Sequence, residues 1–508
     1  MDGLIELNLY GRDYEQELRP LIRAFLPHSE FEVNHYEAEE EPMRDLCREE
    51  PTFLLSANAA YDYSFSCILM NDWYRIRVYR KGERIGAADA DGVNPERKAY
   101  RNCVAREIYR ILAADTGVTL PWGILTGVRP TKPVYEALSL GEDREVIRGR
   151  LAEEYLVSDE KIATSFRVAE RELEILTGMN YRDGYSIYIG IPFCPTTCHY
   201  CSFTSYPLER FGKLTDAYLN ALTKELVYIG GCLPEKKLQT VYIGGGTPTS
   251  LSAEQLERLL IAVRDTLPMQ DVIEYTVEAG RPDSITNRKL ELLKEYGVTR
   301  ISINPQSMQQ RTLDLIGRRH TVQQVVDAMK AARRAGHDNI NMDIIIGLTG
   351  EGPEDVRSTL SQIAELNPDS LTVHTLARKR AARLTTQKEL YEGMDAHDVP
   401  QMLVESVAFC KEHEYQPYYL YRQKNMADNL ENVGYARHGR EGIYNILIME
   451  EKQTILAAGA GAMSKFVFHD EDRIERVENV KSLTDYIDRI DEMIERKKAF
   501  FAECTGVL

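Results

Sequence analysis

Between residues 185 and 376 short apolar runs recur, and each is followed by a stretch whose apolar positions fall three and four apart. The runs are YSIYIGI (185–191), TVYIGGG (240–246), VIEYTVEA (272–279), VTRISI (298–303), NMDIIIGL (341–348) and SLTVHTL (370–376). Runs this short and this rich in β-branched and aromatic residues predict buried strands. The stretches between them predict helices: Leu214, Tyr218, Leu222, Leu226 and Ile229 form one apolar stripe. Ser252 and Gln255 have the spacing of a capping box, and Gly297 and Gly336 suit the left-handed residue that closes a helix. Pro353 suits a first helical turn. Six β/α units predict a parallel sheet with helices outside it, curling into a partial, TIM-like (β/α)6 barrel. In such barrels chemistry sits at the C-terminal strand ends.

The flanks are patterned differently. Tyr74, Ile76 and Val78 alternate with Arg75 and Arg77, and helical periodicity follows over about 95–115. The stretch 121–138 is punctuated by Pro and Gly, and helical sequence then runs to Gly178. This predicts an N-terminal α/β accessory domain over 1–180, ahead of a core at 181–395. After 395 come a helix (about 397–414), a tyrosine-rich strand (Tyr415, Tyr418, Tyr419, Tyr421), the apolar segments GIYNILIM and TILAAGAGAM, and a charged helix over about 481–502. They predict a C-terminal α/β lobe over 396–508 that caps the core or binds substrate.

Composition narrows the function classes. Of 508 residues, 43% are hydrophobic and 28% charged, which suffices for two to four domains with real cores. Lys plus Arg total 62 against 79 Asp plus Glu, a net charge of −17, so a dedicated nucleic-acid binder is a poor first reading. A small anionic ligand requires a local basic pocket. No apolar run approaches the roughly 18 residues of a membrane span, and MDGLIELNLYGRDYEQEL lacks the features of a secretory signal. A cytoplasmic location with no membrane span is therefore expected. Nine cysteines, an odd number thinly spread except at one place, argue against a disulfide framework.

That place is Cys194-Pro-Thr-Thr-Cys198-His-Tyr-Cys201, just past the first strand. Three thiolates this close repel one another unless a cation or cluster neutralises them, so the spacing points to metal ligation. A structural zinc needs a fourth ligand, for which His199 is the local candidate, although it adjoins Cys198 on the chain. A [4Fe–4S] cluster held by three cysteines instead keeps one iron open for a ligand. Gly244-Gly245-Gly246-Thr247-Pro248-Thr249 ends the second strand, where glycines let backbone approach a ligand closely or simply make a tight turn.

With Tyr200 before the third cysteine, the loop resembles the radical S-adenosylmethionine (SAM) superfamily, which implies a radical SAM type of partial barrel. The resemblance implies a [4Fe–4S] cluster on Cys194, Cys198 and Cys201, whose open iron chelates the methionine moiety of SAM. Reduction of SAM then gives a 5′-deoxyadenosyl radical, with no side-chain nucleophile. Gly244, Gly245, Gly246 and Thr247 match the motif that holds the methionine amino group. Tyr188, Tyr200, Glu278, Gln306, Arg318 and Asp343, with Ala377 and Met463 less closely, match cofactor-contact positions of the oxygen-independent coproporphyrinogen III oxidase family. The nearest resemblance is to its HemZ branch, supported by GILTGVRPTKP and YYLYRQKN in the flanks. That family is thought to hold two SAM molecules.

The resemblance implies oxidative decarboxylation of propionates on a tetrapyrrole, coproporphyrinogen III, to the vinyl groups of protoporphyrinogen IX, with an electron donor such as flavodoxin or ferredoxin. Its carboxylates need cations, for which the candidates are Arg378, Lys379, Arg380, Arg383, Arg422, Lys424 and Arg129. One departure stands out: the oxidase has a fourth cysteine two residues after the third, and here Phe203 occupies that position. Haem-chaperone relatives share that departure, but their His-Asn motif is replaced by Tyr444-Asn445. A haem-trafficking protein and a radical enzyme acting on another tetrapyrrole are the alternative readings.

Overall fold

The computed structural model describes residues 3–27, 29–39, 43, 59–377, 382–386, 394, 396–423, 430–471 and 473–503. The chain divides into two compact units, Met1–Phe166 and Arg167–Leu508. The division falls inside the helix Asp159–Thr177, ahead of the position near 180 expected from the sequence.

The first unit is built on β1 (Leu4–Gly11), β2 (Glu30–Tyr36), β3 (Tyr63–Leu69), β4 (Tyr74–Arg80) and β5 (Glu83–Ala90), in the order β2-β1-β3-β4-β5. The first three strands in that order are parallel and the rest antiparallel. The alternation at Tyr74–Val78 thus does mark a strand, and the predicted helix runs over Arg97–Thr116, closed by Gly117 in the left-handed region.

In the second unit all six predicted core strands are present: β6 (Gly184–Ile191), β9 (Lys237–Gly245), β10 (Glu274–Gly280), β11 (Arg300–Ile303), β12 (Ile340–Ile346) and β13 (Ser370–Thr375). Neighbours pair in parallel throughout. The helices between them start and stop where local chemistry directs. The Ser252–Gln255 capping box closes in both directions, Gly297 and Gly336 adopt φ of +80° and +88°, and Pro353 opens Pro353–Leu366.

The sheet then grows beyond the predicted core. β16 (Thr454–Ala458) pairs in parallel with β6, and β17 (Met463–Phe468) and β18 (Arg473–Glu478) follow antiparallel. At the other edge β15 (Asn432–Ala436) runs antiparallel to β13 and is followed by β14 (Gln416–Tyr421). The residues after 395 therefore extend the core's own sheet at both edges, giving an 11-stranded partial barrel. Of the two apolar segments near the C-terminus, the first is the helix Ile443–Glu450, seated by Glu274, whose carboxylate accepts from the Ile443 and Tyr444 amides at 2.6 and 3.0 Å.

One buried polar network ties the last helix, Ile490–Glu503, to this sheet. Lys497 donates to Glu225 at 2.6 Å with both side chains fully buried. Asn479, Tyr486 and the Gly459 amide also donate to the Glu225 carboxylate.

Candidate functional site

The cysteine loop is a closed excursion from the end of β6. The two-residue strands β7 (Phe193–Cys194) and β8 (Tyr206–Pro207) pair in parallel and join its ends. Behind it crosses the end of β9: the Gly246 amide donates to the Ile191 carbonyl at 2.8 Å and the Thr247 amide to the Phe193 carbonyl at 2.7 Å. A Cβ on Gly246 would lie 2.6 Å from the Phe193 carbonyl oxygen and 3.0 Å from Cys194 Sγ, so only glycine fits this crossing. Gly245 takes φ +111°. Arg281, 3% exposed, donates to both the carbonyl and the hydroxyl of Thr196 and is ion-paired with Asp283 at 2.5 Å, which clamps the loop from the other side.

Three thiols face the cavity so formed. Burial pushes the Cys194 thiol up to about 11, and the neighbouring Cys198 and Cys201 push it the same way, against a bond to Thr247 Oγ1 at 3.6 Å. Such a trio favours thiolates only around a multivalent cationic centre, which is the donor set of an iron–sulfur cluster. His199 is spoken for: its Nδ1 lies 3.1 Å from the Leu315 carbonyl, its amide donates to Ile316, and its ring packs against Gly317, where a Cβ would meet it at 2.5 Å.

The opposite wall presents acceptors. Glu278, ending β10, accepts from Tyr242 Oη at 2.5 Å and from the Gly245 amide at 3.3 Å. Burial pushes its carboxyl up to about 7; the Tyr242 bond opposes the shift and Asp343 adds to it. At Asp343 burial is outweighed by bonds from His374, Asn341 and Thr372, and the carboxyl is held below its usual value. Asn341 donates to it at 2.7 Å and His374 Nε2 lies 3.8 Å away. Three acceptors along the end of β11, Ser302 Oγ, Asn304 Oδ1 and Gln306 Oε1, are buried without a hydrogen-bond partner and belong to residues lining the same cavity. Buried polar atoms are seldom left unsatisfied, so a polar ligand fits this wall.

The cavity, about 380 Å³, brings together Cys194, Cys198, Cys201, Tyr200, Gly245, Gly246, Thr247, Glu278, Gln306, Arg318, Asp343 and Ala377. Arg318 bridges two walls, donating to Tyr200 Oη at 2.8 Å and to the Asn304 carbonyl at 2.6 Å. Tyr188, Gly244 and Met463 do not line it. Gly244 lies behind Glu278, the Tyr188 ring stacks near Tyr242 and Tyr444, and Met463 is 41% exposed at the start of β17. Sequence reasoning missed Arg281, Tyr242, Ser302, Asn304 and His374. It also missed Tyr419, Tyr421, Asn432 and Asn445, which residues after 395 bring to the cavity. The orphan pair Ser302 and Asn304 had one legible signal, polar residues alternating into the end of an apolar strand.

Most of the expected basic pocket falls outside the described residues. Arg378, Lys379, Arg380 and Lys424 lie outside the described residues, as does the side chain of Arg383. Arg129 belongs to the first unit. Arg422 is 3% exposed, its guanidinium lowered to about 10 by burial against the pull of Glu431, and it does not line the cavity. Among the described lining residues the arginines are Arg281 and Arg318, both already bonded within the protein.

Residues 188–363 match the radical SAM superfamily. The chain is 45% identical over 404 residues to "Oxygen-independent coproporphyrinogen-III oxidase-like protein HemZ" of Bacillus subtilis, covering 79% of this chain and 81% of that protein. It is 33% identical over 311 residues to "Heme chaperone HemW" of the same organism, covering 60% of this chain and 76% of that one. The crystal structure of coproporphyrinogen III oxidase (HemN) from Escherichia coli aligns with a TM-score of 0.50 at 24% identity, covering 63% of this chain and 72% of that one. This last likeness supports the fold: a partial barrel with helices outside.

Proposed function

The chain belongs to the oxygen-independent coproporphyrinogen III oxidase-like family of radical SAM proteins, and on that membership we propose that it oxidatively decarboxylates propionate side chains of coproporphyrinogen III. The observation that carries the reading is one cavity with three thiols on one wall and unpartnered acceptors on the other. Family membership implies a [4Fe–4S] cluster and SAM, which when bound supply the one-electron chemistry that removes hydrogen from unactivated carbon. Cys194, Cys198 and Cys201 hold the cluster. The Gly245–Gly246 backbone and the Glu278 carboxylate receive the methionine ammonium, and Asp343 and Gln306 receive ribose hydroxyls. Arg318 keeps Tyr200 and the end of β11 in register across the cavity. The tyrosines and asparagines from residues after 395 face the tetrapyrrole. Electrons come from a flavodoxin- or ferredoxin-like donor.

The test uses anaerobically reconstituted, reduced protein with SAM and coproporphyrinogen III. Matched formation of 5′-deoxyadenosine and, after oxidation, protoporphyrin supports the proposal. Deoxyadenosine without vinyl product sinks this substrate. Stoichiometric haem uptake with neither product favours the trafficking reading, which Phe203 and the 33% identity to HemW keep in view.

The Glu278 assignment makes a separate prediction. An ammonium binds the carboxylate form, and a carboxyl raised to about 7 is mostly protonated below that pH, so binding there releases a proton. SAM affinity of the cluster-loaded protein should rise about tenfold per pH unit up to about 7 and level off above it. Tyr242, Asp343 and His374 also face this carboxyl, so Glu278→Gln is the control. It should flatten the profile and weaken binding at pH 8 by about 10- to 100-fold. An unchanged slope in equilibrium dialysis would remove Glu278 from the ammonium site.

A further inference from the structure

Gln306 occupies an unusual place. It is a non-glycine residue at φ +69°, its amide donates to the Asp343 carbonyl and its carbonyl accepts from Ile345, both at 2.9 Å. Its Oε1 is buried, lacks a partner, and belongs to a residue lining the cavity. A left-handed non-glycine backbone is strained, and it persists only where its surroundings over-determine it.

The restraint comes from behind. Glu351, 1% exposed and outside the cavity lining, sits in the loop after β12, and its Oε1 accepts from Ser307 Oγ at 2.5 Å. Thr312, at the far end of the segment that follows Gln306, also pulls this carboxyl down, so the carboxyl faces both ends of that segment. Ser307 Oγ in turn accepts from the Gln309 amide at 3.1 Å. Glu351 has little room to shift, for its amide donates to Leu348, its carbonyl accepts from the His397 amide, and a Cβ on Gly352 would lie 2.3 Å from the His397 ring. Burial pushes this carboxyl up to about 7, a cost that simple packing would avoid with an apolar side chain. A carboxylate is suited to the task because it presents an acceptor oxygen to the Ser307 hydroxyl.

We propose that Glu351 is a positioning residue that, through Ser307, fixes the strained Gln306 turn and so aims its side-chain carbonyl at the ligand. This rests on the reading of Gln306 as a SAM contact. Glu351→Ala, Glu351→Gln, Gln306→Ala and the double variant Glu351→Ala/Gln306→Ala are compared by SAM binding to cluster-loaded protein. Amide exchange over 306–312 is followed in parallel in cluster-free protein. Glu351→Ala should weaken binding about tenfold and speed exchange at 306–312, with iron content unchanged. Glu351→Gln, whose side-chain carbonyl can still accept from the Ser307 hydroxyl, should stay within about twofold of the parent. In the Gln306→Ala background Glu351→Ala should add nothing. Wild-type affinity in Glu351→Ala, or full additivity with Gln306→Ala, overturns the proposal. Wild-type affinity in Gln306→Ala overturns the assignment of Gln306 itself, and Glu351 falls with it. Should Glu351→Ala not fold, Ser307→Ala removes the same bond from the other side and is held to the same outcomes.

Discussion

Cys198→Ala, reconstituted anaerobically with iron and sulfide, is expected to hold little cluster and to lose SAM cleavage by more than about 100-fold, the most that loss of a group merely orienting a ligand costs. Cys198 is 8% exposed, within a loop closed by the β7–β8 pair and clamped by Arg281. Among the described residues no other thiol lines the cavity: Cys232 in the helix-end turn and Cys410 in the core, for example, lie outside its lining. With three ligands the cluster keeps one open iron; with two it loses the geometry that holds it. Cys410→Ala is the matched control, because that thiol is buried and pushed well above its usual value by desolvation alone. Iron and sulfide content and 5′-deoxyadenosine release decide the matter. A Cys198→Ala protein with full iron content and cleavage would mean that the loop does not ligate the cluster as proposed.

Part of this architecture was legible in the sequence because it is locally determined. The six apolar runs became β6 and β9 to β13 with ends shifted by a few residues. At VIEYTVEA a short 3-10 turn at Met269–Asp271 delays the strand to Glu274. The capping box and the two closing glycines were equally readable, since each needs only its neighbours. The cysteine triplet was legible as a candidate metal-binding loop, and all three thiols line one cavity.

What stayed hidden was non-local. TILAA reads as a strand of any kind; only its parallel register with Tyr185–Ile189 makes it the seventh parallel strand, and nothing within five residues declares that partner. GIYNILIM is apolar enough for either a strand or a helix, and Glu274, 169 residues earlier, settles it by capping its first amides. The site shows the same division. Glu278 stands near the end of β10, where barrel logic puts it, and Asp343 in the middle of β12, whereas Arg281, Ser302 and Asn304 gain significance only from what faces them across the cavity.

Lys497 is the sharpest case of a residue whose role the sequence concealed, and Lys497→Met should lower stability by about 3–5 kcal/mol, the usual cost of stranding a buried partner charge. In ERKKAFFAE it looks like one solvated charge among several, yet it and Glu225 are both fully buried and 2.6 Å apart. Methionine matches the apolar stem and removes the cation, leaving Glu225 with Asn479, Tyr486 and the Gly459 amide but no counter-charge. The adjacent Lys498, paired at the surface with Glu495, is the internal control, and Lys498→Met should leave the urea midpoint unchanged. Equal midpoints for the two variants would show that the buried pair contributes nothing. The consequence extends toward the cluster. A Cβ on Gly459 would lie 2.6 Å from the Gly190 carbonyl oxygen, and Tyr218 donates to that same carbonyl at 2.5 Å while accepting from Ala460. Gly190 is four residues before Cys194. Loosening the network should therefore release the end of β6, and Lys497→Met protein that is still folded should lose iron faster than Lys498→Met protein under the same chelator challenge.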